Sequence, residues 1–375
     1  MRTVSEIVAQ LRQVADDPKG SVARWQKETG GRAVGVMPVY CPEEIIHAAG
    51  CLPVGMWGAQ KKQISKARTY LPPFACSVMQ SVMELELEGA YDDLAAVVFS
   101  VPCDTLKCMS QKWHGKAPII TFTHPQNRKA AQSAANVFCR EEYAILKAKL
   151  EDLLDVRISS AALKNSIAVY NANRQACRAF CDAAARHPEL ISPADRHAVI
   201  KARWFMEKSQ HTALVQELNA ALDAAPVVPF SGKKVILTGI LAEPAEVLDI
   251  FAENGFAVVA DDLAQESRNF RQDVPEDDDP LMALAKAWTA LDGCSLAVDP
   301  DKPRGKMLVD EVKRTGADAV IVCMMKFCDP EEFDYPILLE EFEAAGVRNL
   351  FLEIDQETTS FEQARTRIQT FAEIL

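Results

Sequence analysis

Two cysteines occupy matching places in the two halves of the chain. The apolar run at residues 95–100 is followed closely by Cys103 and an aspartate, and the run at 319–324 by Cys328 and an aspartate. Open parallel sheets bind ligands in the crevice beyond the carboxyl ends of their strands. If both runs are such strands, the two thiols are expected to meet in one cleft, although they are far apart in the sequence.

Cys76 is the natural third thiol of such a site. It precedes a helical pattern at 77–87, and the partial positive charge of a helix N-terminus lowers a thiol pKa and stabilises the thiolate. Thiolates are soft donors that match iron, and three of them would leave one iron of a cluster open to another ligand. Because a compact CxxCxxC signature is absent, spacing alone does not decide whether these cysteines bind a cluster.

Two closer cysteine pairs offer alternative ligand sets. Cys103 with Cys108, and Cys323 with Cys328, could each supply two donors to one metal. We favour one member of each pair. Cys323 lies inside an apolar run, where a buried structural thiol is expected, and Cys108 would lie beyond the turn.

The chain contains eleven cysteines, and its start lacks the apolar run of a secretion signal. Cytosolic thiols are kept reduced, so a disulfide framework is not expected and metal or cluster binding becomes the main question. Most of the cysteines are still predicted to be small buried hydrophobes. Cys177 and Cys181, which are four residues apart on a helical pattern, are interpreted as packing residues.

Composition and charge narrow the class of protein. With 375 residues, of which 49% are hydrophobic and 25% charged, the chain is expected to be globular with two cores. The net charge of −12 argues against a nucleic-acid partner, because phosphate binding needs clustered Lys and Arg. No stretch approaches the roughly 20 apolar residues that span a bilayer. We therefore expect a cytoplasmic protein without a membrane partner.

The elements that would position the thiols alternate between strand and helix. Short apolar runs bounded by helical patterns predict the strands. They lie at 33–39, 53–57, 95–100, 117–122, 234–239, 256–260, 319–324 and 350–354. Such alternation is typical of parallel sheets covered by helices.

The middle of the chain carries helical patterns instead. Residues 141–225 are rich in Ala and Arg, and Ser192 followed by proline is a predicted helix start. Gly316 is a predicted helix end, and Ser360 a predicted cap of the last helix. The fold class is therefore predicted as α/β, with two doubly wound, Rossmann/flavodoxin-like domains joined by a helical segment. The predicted boundaries are 1–140 for an N-terminal α/β cluster-binding domain, 141–231 for a helical connector and 232–375 for a C-terminal α/β domain.

Several common catalytic motifs are missing from the sequence. There is no GxxxxGKS/T loop, no convincing GxGxxG after a strand and no HExxH, so neither ATP hydrolysis, dinucleotide binding nor a zinc site is indicated. Glu43 and Glu44 open a predicted helix, where a favourable interaction with the helix dipole is the simpler interpretation.

Several short segments of the sequence, taken together, are specific to one family. They are Tyr40-Cys-Pro-Glu-Glu, Cys103-Asp-Thr-Leu, Met109-Ser-Gln, Ala260-Asp-Asp, Glu266-Ser-Arg and Met324-Met-Lys-Phe-Cys-Asp-Pro-Glu-Glu. On these segments the chain resembles, over nearly its whole length, the beta-type subunit of the (R)-2-hydroxyacyl-CoA dehydratases. It is most similar to that of 2-hydroxyglutaryl-CoA dehydratase.

The resemblance implies an iron–sulfur cofactor. A four-iron four-sulfur cluster would be held by Cys76, Cys103 and Cys328, with a non-protein ligand on the fourth iron. A flavin is compatible with the family but is not indicated by the sequence. The cysteines outside the family pattern, whose role stays open, are Cys41, Cys51, Cys108 and Cys323.

The resemblance also implies partners and a reaction. An alpha-type subunit would hold the acyl-CoA substrate at another cluster, and an ATP-dependent iron–sulfur activator would supply one electron. Reduction of the thioester to a ketyl radical expels the α-hydroxyl group and acidifies the β-hydrogen, so syn-elimination of water gives a 2-enoyl-CoA and the electron returns. This chain would be the electron relay of an oxygen-sensitive hydro-lyase, with no catalytic acid or base assigned to it.

Two other functions are compatible with the same residues. A homodimeric cluster-containing reductase of the double-cubane type ranks second, because its additional cysteine motifs are not evident here. A non-catalytic cluster scaffold would bind iron and a partner but would not support turnover.

Overall fold

Two parallel β-sheets of four strands each form the framework of the chain. The computed structural model describes residues 2–37, 39–126, 128–129 and 131–375. The first sheet contains β1 (Arg32–Val36), β2 (Cys51–Gly55), β3 (Ala96–Ser100) and β4 (Ile119–Phe122). The second contains β5 (Lys233–Gly239), β6 (Phe256–Leu263), β7 (Ala319–Met325) and β8 (Arg348–Ile354). The sheet orders are equivalent, β2–β1–β3–β4 and β6–β5–β7–β8, and the strand pairs are parallel.

Helices connect these strands and fill the middle of the chain. The first half contains α1 (Val4–Asp16), α2 (Pro18–Thr29), α3 (Glu43–Ala48), α4 (Ser77–Leu87) and α5 (Asp104–Gln111). The middle contains α6 (Gln132–Leu154), α7 (Ser160–Arg186), α8 (Pro193–Ala202) and α9 (Lys208–Asp223). The second half contains α10 (Ala245–Glu253), α11 (Pro280–Thr289), α12 (Arg304–Thr315), α13 (Asp329–Ala345) and α14 (Glu362–Ile374). The predicted α/β class is confirmed.

The central strand β7 is buried on both faces. Successive side chains of a strand point to opposite faces. Accordingly Ile321 and Cys323 pack in one hydrophobic cluster, while Val320 and Val322 pack in another. This explains why the strand is a continuous apolar run rather than an alternating pattern.

The first helix packs mainly against the middle helices. Ile7 and Leu11 of α1 share a core with Phe180 of α7 and Leu218 of α9, and all four are fully buried. Along the described parts of the chain, no helix combines the length and the apolar character that crossing a membrane requires.

Several predicted element ends can be compared with the observed ones. Ser192 caps α8 by accepting a hydrogen bond from the Asp195 amide, and Gly316 ends α12 with a left-handed φ of 66°, both as predicted. Ser360 does not cap α14, because the helix starts one residue later, after Phe361, which packs against the main core.

The first strand ends earlier than the sequence predicts. It was expected at 33–39 but ends at Val36, and Pro38 lies outside the described residues. Val39 and Tyr40 then have φ values of 62° and 65°. Positive φ is incompatible with a strand, so the chain turns sharply before α3.

The two halves contact each other beside the carboxyl ends of their strands. The fully buried Gln356, just after β8, donates from its side chain to the Trp57 carbonyl oxygen at 2.7 Å. Its backbone amide donates to the Ser77 hydroxyl group at 3.2 Å. Ser77 is the first residue of α4 and follows Cys76, so this contact places one thiol at the junction of the halves.

Candidate functional site

Three cysteines occupy the same position in three different helices. Cys76, Cys103 and Cys328 are the residues that immediately precede α4, α5 and α13. Amide groups at a helix N-terminus carry a partial positive charge, which favours a thiolate. Within the described part of the chain, none of the three side chains makes a capping hydrogen bond. A sulfur at such a position is a weak acceptor and can bind another ligand.

One cavity of about 510 Å³ is lined by all three cysteines. Cys103 follows the central strand β3 of the first sheet, and Cys328 follows the central strand β7 of the second. This is the end of a parallel sheet at which ligands bind in open α/β folds. None of the other cysteines, all of which lie in the described part of the chain, lines the cavity.

Burial and neighbouring charges raise the pKa values of all three thiols. Burial raises the pKa of Cys76 to about 12 and the charge of Cys103 adds to this, whereas the Met79 amide opposes it. The lowered pKa that the helix N-terminus alone predicts for Cys76 is therefore not observed, because burial outweighs the amides. Burial also raises the pKa of Cys328 well above its ordinary value, and the charges of Glu331 and Cys76 act in the same direction. Thiolates therefore become favourable here when a cationic group enters the cavity.

The three cysteines of the cavity offer soft sulfur donors, which suit iron. Among the described residues, no three or more His, Cys, Asp or Glu side chains are arranged to hold one metal ion. A single ion needs all its thiolates within about 2.3 Å of one centre. A cluster instead spreads its thiolates over several irons. Three thiols around one cavity are compatible with the second arrangement.

Part of the cavity rim is formed by exposed apolar side chains. Phe333 is 80% exposed and Val298 is 50% exposed, although both line the cavity. Phe327, also in the wall, has a left-handed φ of 61° directly before Cys328. This conformation is strained for a residue with a bulky side chain, and such strain often accompanies a functional site.

In each of the two alternative ligand pairs, only one cysteine lines this cavity: Cys103 but not Cys108, and Cys328 but not Cys323. Cys323 is fully buried within β7, as expected for a structural thiol, and Cys108 is exposed on α5. Cys177 is buried in the helical core, and Cys181 packs against it. Cys51 is part of the main hydrophobic core and Cys41 packs against that core. Neither of them lines the cavity.

The interpretation of Glu43 and Glu44 as helix-dipole residues was incomplete. Both are buried, and Glu43 accepts hydrogen bonds from Lys208 at 3.0 Å and Tyr170 at 3.2 Å. Glu44 is paired with Arg174. Burial alone would raise the pKa of Glu43, but the charges of Lys208, Arg203 and Arg174, with the hydrogen bond from Lys208, together outweigh it and lower that pKa. These carboxylates tie α3 to the middle helices.

Sequence reasoning missed several polar residues in the cavity wall. Ser295, Lys302 and Asp334 line the cavity. Ser295 donates to the buried Glu331 at 2.6 Å, and Lys302 donates to Asp334 at 2.9 Å. Glu331 falls in a segment that carries the family resemblance, but no local pattern indicates that Ser295 or Lys302 would reach the cysteines.

Two parallel sheets with a thiol-lined cavity beyond their central strands define an α/β protein with a candidate site for a ligand that binds sulfur donors. Residues 38–375 match the family described as 2-hydroxyglutaryl-CoA dehydratase, D-component. The chain belongs to this family, and it is a beta-type subunit of a 2-hydroxyacyl-CoA dehydratase, a hydro-lyase built from more than one subunit.

Curated relatives match over almost the full length of both chains. The lactoyl-CoA dehydratase subunit beta of Anaerotignum propionicum is 59% identical, covering 100% of each chain. The (R)-phenyllactyl-CoA dehydratase beta subunit of Clostridium sporogenes is 39% identical over 97% of each. The (R)-2-hydroxyglutaryl-CoA dehydratase subunit beta of Acidaminococcus fermentans is 38% identical, covering 99% of this chain and 100% of the relative.

Proposed function

We propose that Cys76, Cys103 and Cys328 hold a four-iron four-sulfur cluster through which this subunit relays an electron during dehydration of a 2-hydroxyacyl-CoA. The observation that carries the proposal is the single cavity lined by these three thiols. An ATP-dependent activator would supply the electron, and an alpha-type partner subunit would hold the acyl-CoA. This chain would act with that partner as a cytoplasmic heterodimer.

The residues of this chain would bind and shield the cofactor. Bound in the cavity, the cluster would supply one-electron transfer. The first turns of α4, α5 and α13 would fix the three sulfurs and stabilise their thiolate forms. Three thiols would leave one iron of such a cluster without a cysteine from this chain, and Phe327 and Phe333 contribute apolar surface to the same cavity.

The acyl group is proposed from similarity to named relatives. The relative named for lactoyl-CoA is 59% identical, whereas the one named for (R)-2-hydroxyglutaryl-CoA is 38% identical. We therefore place a lactoyl-like substrate first. The 2-hydroxyglutaryl group, favoured from the sequence, becomes the second candidate.

We also retain the predicted division into two doubly wound, Rossmann/flavodoxin-like domains, at 1–140 and 232–375, with a helical connector at 141–231. Two observations support it. The four middle helices lie between the strands of the two sheets in the sequence, and both sheets have the same strand order.

Iron and sulfide analysis after anaerobic purification tests the ligand set. Cys76→Ser, Cys103→Ser and Cys328→Ser should each lose most of the bound iron, because a hydroxyl group is a poor replacement for a thiolate. Cys323→Ser and Cys108→Ser are matched controls, one buried and one exposed, and should retain it. Full iron content in any of the first three variants would remove that residue from the ligand set.

An activity assay tests the proposed relay and the alternatives. Dehydration of lactoyl-CoA should require this chain, the alpha-type subunit and the activator together, and Cys103→Ser should abolish it while subunit pairing persists. Turnover by this chain with a chemical reductant alone would favour the homodimeric reductase. Iron binding without turnover in the complete mixture would favour the non-catalytic scaffold.

A further inference from the structure

A buried network of charges lies behind the cysteine cavity. Its first anchor is Asp262, near the end of β6, which is buried and accepts hydrogen bonds from three arginines. Arg304 donates to it at 2.8 Å and Arg268 at 3.1 Å, and Arg271 is also paired with it. These three positive charges lower the pKa of Asp262, although burial acts in the opposite direction.

The second anchor of the network is Glu331, which is 1% exposed. Its carboxylate accepts from Arg304 at 2.8 Å, from Arg268 at 3.2 Å and from the Ser295 hydroxyl group at 2.6 Å. Arg268 and Arg304 therefore bridge two carboxylates, and each arginine is at most 3% exposed. Because water is excluded, these charges are weakly screened.

Two links join this network to the cavity. Glu331 lies in the first turn of α13, and its amide donates to the carbonyl oxygen of Cys328 at 3.0 Å. Ser295 lines the cavity and donates to the Glu331 carboxylate. Glu331 is therefore joined to the backbone of Cys328 and, through Ser295, to the cavity wall.

We propose that Glu331, held by Arg268, Arg304 and Ser295, sets the reduction potential of the cluster bound by Cys76, Cys103 and Cys328. The proposal rests on the proposed function. Reduction adds one negative charge to the cavity, so a nearby carboxylate disfavours it and a nearby guanidinium group favours it. The potential therefore depends on the balance between Glu331 and its two arginines, and Ser295 moderates the carboxylate charge.

The test is a redox titration of the cluster-loaded subunit, followed by electron paramagnetic resonance. Glu331→Gln removes one negative charge with little change of shape and should raise the midpoint potential. Ser295→Ala removes a hydrogen-bond donor from the carboxylate and should lower it. Opposite shifts are expected from an electrostatic role, whereas a merely structural role would not produce them.

Glu43→Gln is the matched control. It also removes a buried carboxylate paired with a cation, Lys208, but Glu43 does not line the cavity and belongs to a different network. The midpoint potential of the cluster in the Glu43→Gln variant should equal that in the unchanged protein. Glu331→Gln could fail to fold or to bind iron. In that case Ser295→Ala, which changes no charge, tests the tuning role by the direction in which its midpoint potential shifts.

The outcomes separate this inference from the function on which it rests. If the unchanged subunit binds no iron, the proposed function fails first. A second possible result is that the unchanged subunit binds iron while Glu331→Gln and Ser295→Ala leave the midpoint potential unchanged or shift it in the same direction. That result would contradict the tuning role of Glu331 but not the assignment of the three cysteine ligands. Opposite shifts with an unchanged Glu43→Gln support the tuning role.

Discussion

At the scale of single residues, burial disfavours the charged form of a side chain, and oppositely charged partners can reverse the resulting pKa shift. Burial raises the pKa of the partly buried Cys76 thiol, for which no cation among the described residues offsets the effect. His197 is more deeply buried, and burial alone would lower its pKa. Its ring nitrogens, however, contact Glu266 at 2.8 Å and Glu243 at 3.0 Å, and these two carboxylates raise the pKa of His197 to about 9.

His197 should make the stability of the protein depend on pH. Its pKa in the folded chain, about 9, exceeds the value of about 6.5 in an unfolded chain. The protonated form is therefore stabilising below pH 6.5, and this contribution is lost as the pH rises through 9. The loss should be on the order of 3 kcal/mol.

Urea unfolding at pH 6 and pH 9.5 measures this effect when His197→Gln is compared with the unchanged protein. The difference in unfolding free energy between the two proteins should shrink at the higher pH. Burial lowers the pKa of Lys208 to about 8, so this residue also titrates in the same pH range. For that reason only the difference between the two proteins reports on His197. A constant difference would mean that His197 is neutral in the folded state.

At the scale of elements, the helix ends decide where functional side chains lie. The same geometry that places Ser192 before α8 places Cys76, Cys103 and Cys328 before their helices. The hydroxyl oxygen of Ser192 accepts a hydrogen bond from a free backbone amide in the first turn of α8. A sulfur at the equivalent position is a weaker acceptor and remains available to a ligand.

Ser192→Ala should destabilise the protein by about 1 kcal/mol, because the Asp195 amide loses its acceptor. Ser360→Ala is the matched control, since this exposed serine precedes α14 without capping it. Its unfolding free energy should be unchanged within about 0.5 kcal/mol. Urea denaturation of both variants makes the comparison, and equal losses would show that the observed helix starts are misassigned.

At the scale of the whole molecule, the cores cross the boundaries that the sequence suggests. Leu11 belongs to α1, at the start of the chain, yet it is fully buried in the core of the middle helices. Similarly, the contact between Gln356 and Trp57 joins the ends of the two sheets. The cavity between Cys103 and Cys328 therefore depends on how the halves pack.

Leu11→Ala should cost about 2–5 kcal/mol of unfolding free energy, because it leaves a cavity in a closed core. Leu153→Ala in α6 is the matched control, since Leu153 is 41% exposed and its loss should cost much less. Thermal or urea unfolding measures both. A small effect at Leu11 would indicate that α1 is not an integral part of the helical core.

The sequence by itself determined the elements and the positions of the candidate thiols. Apolar runs identify buried parallel strands such as β3 and β7, and these strands end just before Cys103 and Cys328. Short-range signals also marked the ends at Ser192 and Gly316. These features were predictable because they depend on backbone hydrogen bonding and periodicity within a few residues.

Only the tertiary structure decided which distant residues share a cavity and which charges stand behind it. Ser295 and Lys302 reach the wall from a loop without a local pattern, and Arg268 and Arg304 meet Glu331 from separate segments. The sequence predicts only a helix-dipole role for Glu43, because its partner, Lys208, is 165 positions away. Such pairings depend on long-range packing, since a buried charge is tolerated only where the fold supplies its partner.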